Sequence, residues 1–129
     1  MELKSKYFTL KELTVNKNNL PNIPNQEQFN NLQLLVTNVL DPLREMYGKP
    51  ITINSGFRNK KVNDLAGGVD TSEHMRGMAA DIDTNNDNPE LYQLIKKNFK
   101  FRQLIDEKNF SWVHVSYNKK DNKKQLLKL

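Results

Sequence analysis

The helical spacing of apolar residues between positions 29 and 46 is the strongest constraint on the fold of this 129-residue chain. These residues recur at the three- and four-residue intervals that line one face of an α-helix: Phe29, Leu32, Leu35, Val36, Val39, Leu40, Leu43 and Met46. Asn25 and Gln28 have the spacing of a capping box at the start of this helix. Pro42 predicts a kink, and Gly48 predicts the helix end.

Shorter segments after this helix predict a sheet. "PITINSGF" and "MAADID" are typical of strands, and "FRQLIDE" with "SWVHVSY" predicts a hairpin. Further short helices are predicted over "TLKEL", "NKKVNDLA" and "NPELYQLIKKN". Because no repeat or linker interrupts the pattern, we expect one α+β domain over residues 1–118, with a small antiparallel sheet packed against helices.

The positive charge of the chain is concentrated at its C-terminus. Residues 119–129 hold five lysines and one aspartate, so they carry +4 of the net charge of +5. We expect a solvated basic C-terminal tail. Nucleic acid is not the expected partner, because basic and aromatic residues do not alternate as a base-stacking surface requires. The rival nucleic-acid hypothesis predicts salt-sensitive binding that is lost when residues 119–129 are deleted.

The absence of cysteine narrows the possible chemistry. It excludes disulfides, thiolate metal sites and a cysteine nucleophile, so any metal must be held by histidine and carboxylate. No apolar stretch reaches the ~20 residues of a membrane span, so no membrane partner is expected. The start "MELKSKYFTL" lacks the apolar core of a signal peptide, so synthesis in the cytoplasm without export is expected.

The two histidines suggest a metal site. His74 precedes Asp81 in "SEHMRGMAAD", and His114 lies in the alternating strand "WVHVS". Two imidazoles and a carboxylate match the three protein ligands of catalytic zinc sites. The small residues of the first segment, Gly77, Ala79 and Ala80, would let the backbone pass close to a metal. The alternative is that His114 bonds a backbone carbonyl and His74 is an ordinary loop residue.

The motifs together resemble a known family. The segments "SGFRNKKVNDLAGGVDTSEHMRGMAADID", "QLIDE" and "WVHVSY" are similar to zinc D-alanyl-D-alanine carboxypeptidases and L-alanyl-D-glutamate endopeptidases, which cut peptidoglycan. These enzymes share a fold with the vancomycin-resistance D,D-dipeptidases and the hedgehog signalling domain. The resemblance runs from about residue 7 to Tyr117, and it implies that Zn²⁺ is held by His74, Asp81 and His114.

The resemblance also implies substrate contacts. Arg58 of "SGFR" matches the family arginine that contacts substrate near the scissile bond, and a guanidinium offers two parallel donors to a carboxylate or oxyanion. Ser72 is expected either to bind substrate or only to begin the ligand loop. Trp112 is expected to bind substrate as an aromatic wall of the site.

The general base departs from the best-known members of the family. There, an acidic residue stands three positions before the last histidine ligand, and this chain has Ser111 at that position. We expect Glu107 to replace it. If Glu107 pairs with Trp112 across the hairpin, then Ile105 pairs with His114, and the glutamate shares the face of the metal.

Two other carboxylates remain as alternatives for the base. A register shift of one residue would turn Glu107 away and favour Asp106. Glu73, beside the first histidine ligand, is the third candidate.

The function implied by the resemblance is zinc-assisted hydrolysis of peptidoglycan stem peptides. The expected protein is a phage-type cell-wall hydrolase that acts after release or as a virion component. We expect a monomer unless it is part of a virion. The alternative is a zinc-binding structural or virion module that has lost catalysis, which the serine at position 111 favours.

Overall fold

The predicted amphipathic helix forms as two α-helices joined by a wider turn. In the computed structural model, which describes residues 1–129, α1 (Leu10–Leu13) is followed by α2 (Gln26–Leu35), a π-helical turn (Val36–Leu40) and α3 (Asp41–Tyr47). Asn25 and Gln28 form the predicted capping box, and Gly48 ends α3. Pro42 has no N–H to donate, and the hydrogen-bond spacing widens in the turn just before it. The helical run therefore continues past Pro42.

The remaining elements form one sheet and three short helical segments. In chain order they are β1 (Thr52–Ser55), α4 (Lys60–Leu65), a 3-10 turn (Glu73–Arg76), β2 (Ala79–Asp83), α5 (Asn88–Asn98), β3 (Gln103–Glu107), β4 (Trp112–Ser116) and β5 (Gln125–Lys128). The strand order is β1-β2-β4-β3-β5. All neighbours are antiparallel except β3 and β5. The predicted α+β class is confirmed.

The strand register fixes which side chains meet. Asp81 of β2 lies opposite His114 of β4, and His114 also lies opposite Ile105 of β3. Glu107 pairs with Trp112, as the hairpin pattern predicted. Because paired residues share a face, one face of the sheet carries the candidate site.

The other face of the sheet covers the core. It presents residues such as Ile82, Leu104, Val113 and Val115, all fully buried, to the apolar face of the α2–α3 segment. Seven of the eight apolar residues that the helical periodicity predicted are buried, whereas Met46, near the end of α3, is 50% exposed. None of the helices combines the length and apolar character that a membrane crossing requires.

The expected solvated tail is wrong for the last part of the chain. Gln125–Lys128 form β5, which pairs in parallel with β3. The Gln125 N–H donates to Arg102 O at 3.0 Å, and the Leu129 N–H donates to Asp106 O at 2.9 Å. The lysines of this region remain exposed, while its backbone completes one edge of the sheet.

The 3-10 turn is fastened to α2. The Gln28 side chain donates to Met75 O at 3.2 Å, and the Asn31 side chain donates to Arg76 O at 2.9 Å. Gly77 ends the turn with φ +74°, and a Cβ added there would lie 2.3 Å from Gln28 O. The glycine is therefore needed for close contact with α2. Our expectation that Gly77 lets the backbone approach a metal is corrected.

Replacing Gly77 tests this contact. Gly77→Ala should lower the free energy of unfolding by roughly 2–5 kcal/mol, because left-handed alanine is strained and the added methyl overlaps helix backbone. Gly67→Ala is the control, since Gly67 has φ +76° but nothing within 4 Å of its added Cβ. Gly67→Ala should lower the free energy of unfolding by about 1–2 kcal/mol, because only the strain of a left-handed alanine applies there. Urea unfolding measures both, and equal losses would contradict the packing explanation.

Candidate metal centre

Three side chains from separate segments converge at one point. His74 comes from the 3-10 turn, Asp81 from β2 and His114 from β4, and all three are buried. Their candidate ligand atoms lie within 4.8 Å of one another. Asp81 Oδ1 is 3.3 Å from His74 Nε2 and 3.1 Å from His114 Nδ1. The structure thus brings together the three predicted ligands.

The two histidines present different nitrogens to this point. The Nδ1–H of His74 donates to Gly56 O at 2.7 Å, which leaves Nε2 free to face Asp81. His114 turns Nδ1 toward Asp81, and its Nε2 is buried without a hydrogen-bond partner. The alternative that His114 bonds a backbone carbonyl does not hold, since its Nδ1 partner is a carboxylate.

Close packing around Gly56 positions the first histidine. A Cβ at Gly56 would lie 2.4 Å from Leu13 O, and the next residue, Phe57, donates its N–H to Leu13 O at 2.7 Å. The Arg58 N–H in turn donates to His74 O at 3.1 Å. The "SGFR" segment is therefore clamped between α1 and the 3-10 turn, with its Gly56 carbonyl aimed at the imidazole.

The charges of the site are strongly coupled. Burial acts to raise the pKa of Asp81, but hydrogen bonds and charge interactions with His114 and His74 outweigh it and hold that pKa well below its ordinary value. Burial acts to lower the pKa of His114, but Asp81 and Glu73 raise it to about 9. Asp81 is therefore ionised, which is the form that binds metal.

The donor set fits zinc. Imidazole nitrogen and carboxylate oxygen are ordinary zinc ligands, and three protein ligands leave a fourth position open. One carboxylate oxygen faces both imidazole nitrogens, so the three donors share a common centre. A divalent cation between Asp81 Oδ1 and the two imidazole nitrogens would therefore be bound by all three donors.

Arg58 lies directly against this centre. Its Nη2 is 3.2 Å from Asp81 Oδ2, and its Nε donates to Ser55 Oγ at 2.8 Å. A weaker contact, 3.3 Å long, joins Nη1 to Asn63 Oδ1. Burial lowers the pKa of Arg58, with Asp81 and Glu107 acting in the opposite direction. The Arg58 side chain is 13% exposed, so the guanidinium is largely buried and held in one orientation.

A cleft of ≈ 320 Å³ opens beside Arg58 and Asp81. Its lining mixes apolar and polar side chains from five parts of the chain: Val15, Asn16, Lys17, Asn18, Asn54, Ser55, Arg58, Val62, Leu65, Ala66, Asp81 and Trp112. Sequence reasoning predicted Arg58 and Trp112 at the site. It missed the loop that follows α1, because nothing in "TVNKN" indicates that this loop reaches the sheet.

The two carboxylates of the hairpin lie on opposite faces. Glu107 pairs with Trp112 on the face of the metal ligands, and its charge acts on Arg58. Asp106 is buried on the other face, where its Oδ1 accepts the Phe110 N–H at 2.6 Å. The register that would favour Asp106 at the site is therefore absent.

The serines at the two other motif positions have local partners. Ser111 is exposed in the hairpin turn, and its hydroxyl donates to Lys108 O at 2.7 Å. Ser72 Oγ accepts the His74 N–H at 3.2 Å, which caps the 3-10 turn. Ser72 does not line the cleft. Its contacts thus fit the start of the ligand loop, one of the two expectations for it.

Glu73 has a different place from the one sequence reasoning considered. Its Oε1 is 3.9 Å from His114 Nε2, whereas the ligand Asp81 faces Nδ1 of the same ring. Glu73 therefore approaches the side of His114 that points away from Asp81. This position argues against Glu73 as the base that activates water at the metal.

A buried His-Asp-His set beside an arginine and an open cleft has the form of a catalytic zinc site, in which three protein ligands leave one position open. The peptidase M15 family matches residues 6–116. Over 44 residues the chain is 48% identical to the zinc D-Ala-D-Ala carboxypeptidase of Streptomyces albus G. That match covers 33% of this chain and 17% of the relative, so the chain spans a small part of the relative's length.

The chain belongs to the peptidase M15 family. The family resemblance stated from the motifs is confirmed, and so is the prediction of a zinc cofactor, since the predicted ligands meet at one point in a zinc-peptidase fold.

Removing a histidine tests the ligand set. We expect purified protein to hold about one zinc per chain, and His74→Ala and His114→Ala to lose most of it, because only three protein ligands are available. Inductively coupled plasma mass spectrometry after gel filtration measures the occupancy. Asn54→Ala, which alters the cleft without touching a ligand, should keep the zinc. Full retention of zinc in both histidine variants would exclude this site.

Proposed function

We propose that this protein hydrolyses peptide bonds in peptidoglycan stem peptides in a zinc-dependent reaction. The observation that carries the proposal is the buried His-Asp-His centre beside Arg58, at the edge of a cleft large enough for a few residues of peptide. The Streptomyces relative is a zinc D-Ala-D-Ala carboxypeptidase, which supports this substrate class.

The chemistry divides between the metal and the side chains around it. Bound zinc supplies Lewis acidity, which polarises a peptide carbonyl and makes water more acidic. Arg58 has a fixed guanidinium at the cleft wall, so it can bind a substrate carboxylate or the oxyanion that develops on the carbonyl. Its contact with Asp81 also holds that ligand in place.

Glu107 is the carboxylate we assign as the general base. It lies on the face of the ligands, next to Trp112, and it is half-buried. From there it can accept a proton from the attacking water and deliver it to the leaving amine. The Trp112 ring, which lines the cleft, offers the apolar wall that favours transfer of a proton over its loss to solvent.

The second candidate function is a zinc-binding module without catalysis. The observation that favours it is Ser111, which stands where the best-known family members carry an acidic residue and which points into the hairpin turn. A zinc-loaded wild-type protein that is inert on every stem peptide would support this alternative.

The biological setting that we propose is a phage-type cell-wall hydrolase. It would act on the wall after release from the cell or as part of a virion. The peptide substrate is the proposed partner, and neither nucleic acid nor membrane is required by any feature of the site.

Activity on a defined peptide tests the proposed function. The zinc-loaded protein should cleave a synthetic stem peptide that contains L-Ala, D-Glu and terminal D-Ala residues. Mass spectrometry of the products identifies the bond. Chelation should abolish cleavage and added zinc should restore it, while the same peptide with all L-residues should remain intact. Cleavage that survives complete removal of zinc would contradict the proposal.

Glu107→Gln tests the assigned base. It keeps the size of the side chain but removes the proton acceptor, so turnover should fall roughly 10²-fold or more while zinc stays bound. Asp106→Asn is the matched control, because the amide oxygen can still accept the Phe110 N–H. It should keep most of the activity. A loss confined to Asp106→Asn would show that Glu107 is not the base.

A further inference from the structure

The ring of His114 raises a question of orientation. Its Nδ1 faces Asp81 Oδ1 at 3.1 Å, so Nδ1 is the nitrogen that points to the metal centre. A nitrogen that binds metal does so through its lone pair, which places the ring proton on the other nitrogen. Nε2 must then be an N–H donor, and it is buried with no hydrogen-bond partner.

The nearest acceptor for this donor is Glu73. Its Oε1 lies 3.9 Å from His114 Nε2, and its side chain is 13% exposed. Glu73 Oε1 has no hydrogen-bond partner, as the facing nitrogen does, whereas Oε2 is ion-paired with Arg102. A buried donor and a buried acceptor that face each other gain free energy when they close to hydrogen-bond distance. The 3.9 Å gap is about 1 Å longer than an ordinary hydrogen bond.

Glu73 is itself held in place from the far side. Arg102 Nε lies 3.0 Å from Glu73 Oε2, and Arg102 Nη1 is paired with Asp121. The Arg102 N–H donates to Ser116 O at 2.8 Å, at the end of β4. The carboxylate is therefore anchored to the strand that carries His114.

The outer nitrogens of the two histidine ligands face different acceptors. His74 donates its outer N–H to a backbone carbonyl, which fixes the ring without adding charge. His114 faces a carboxylate, and a carboxylate both fixes the tautomer and makes the imidazole a stronger ligand. The 3-10 turn supplies His74 and Glu73 as neighbours, so one short segment positions two ligands.

We propose that Glu73, held by Arg102, is a positioning residue that accepts the Nε2–H of His114 and so presents Nδ1 to the metal. This role belongs to the metal centre and applies whichever peptide bond the protein cuts. It also explains why an acidic side chain is buried beside a ligand although it faces away from Asp81.

Zinc affinity of three variants tests the role. Glu73→Ala removes the acceptor and should weaken zinc binding by roughly 10- to 100-fold, measured by competition with a chromophoric chelator. Glu73→Gln keeps an acceptor oxygen without the charge, so its loss should be smaller. Asp41→Ala is the control. Asp41 lies in α3 and accepts hydrogen bonds from Ser5 and Lys6, so this variant should bind zinc as the wild-type protein does.

A spectroscopic measurement separates positioning from general destabilisation. In zinc-loaded wild type, nitrogen-15 NMR should show His114 protonated at Nε2 with slow exchange, and Glu73→Ala should lose that slow exchange. If Glu73→Ala does not fold, Glu73→Gln decides alone: weaker zinc binding than wild type supports the proposal. Unchanged zinc affinity in the Glu73 variants, or an equal loss in Asp41→Ala, would overturn it.

Discussion

A carboxylate enclosed by two imidazoles and a guanidinium holds the functional half of this protein together. Asp81 lies on β2, between β1 and β4, and burying its charge alone would cost several kcal/mol. His74, His114 and Arg58 each come from a different segment, and each contacts the carboxylate. The ionised form of Asp81 therefore links the "SGFR" segment, the 3-10 turn and the hairpin. Metal binding would act on an arrangement that already exists.

The features set by side-chain alternation could be predicted from the sequence. Residues two apart on a strand share a face, so "WVHVS" and "QLIDE" carried enough information to pair Glu107 with Trp112 and Ile105 with His114. The metal ligands were predicted because the motifs around His74, Asp81 and His114 resemble those of a zinc-peptidase family, whereas their spacing alone also allowed ordinary structural histidines. The helical periodicity likewise predicted the surface of α2 and α3 that covers the sheet.

Features that depend on contacts between distant segments could not be predicted. β5 pairs in parallel with β3, and its "QLLK" sequence lies among lysines, so charge pattern alone suggested a solvated tail. The place of Glu73 arises only when the 3-10 turn meets β4. The hairpin turn contains three successive residues with positive φ, Lys108, Asn109 and Phe110, none of them glycine. The Asp106 side chain accepts the Phe110 N–H, and Leu129 O accepts the Lys108 N–H. The contact with Leu129 joins segments far apart in the chain, so the sequence of the turn does not predict it.

The metal ligands and part of the cleft wall belong to different structural elements, and this affects how the protein can evolve. The metal ligands lie on the sheet and on a turn fastened to α2, whereas Val15, Asn16, Lys17 and Asn18 of the cleft wall belong to the connection after α1. Three of these four wall residues present polar or charged groups, and none of them is hydrogen-bonded to a metal-ligating residue. Substitution or lengthening of this connection can therefore reshape what the cleft admits while the metal centre keeps its geometry. Natural variation and directed evolution would both find new selectivity most readily there.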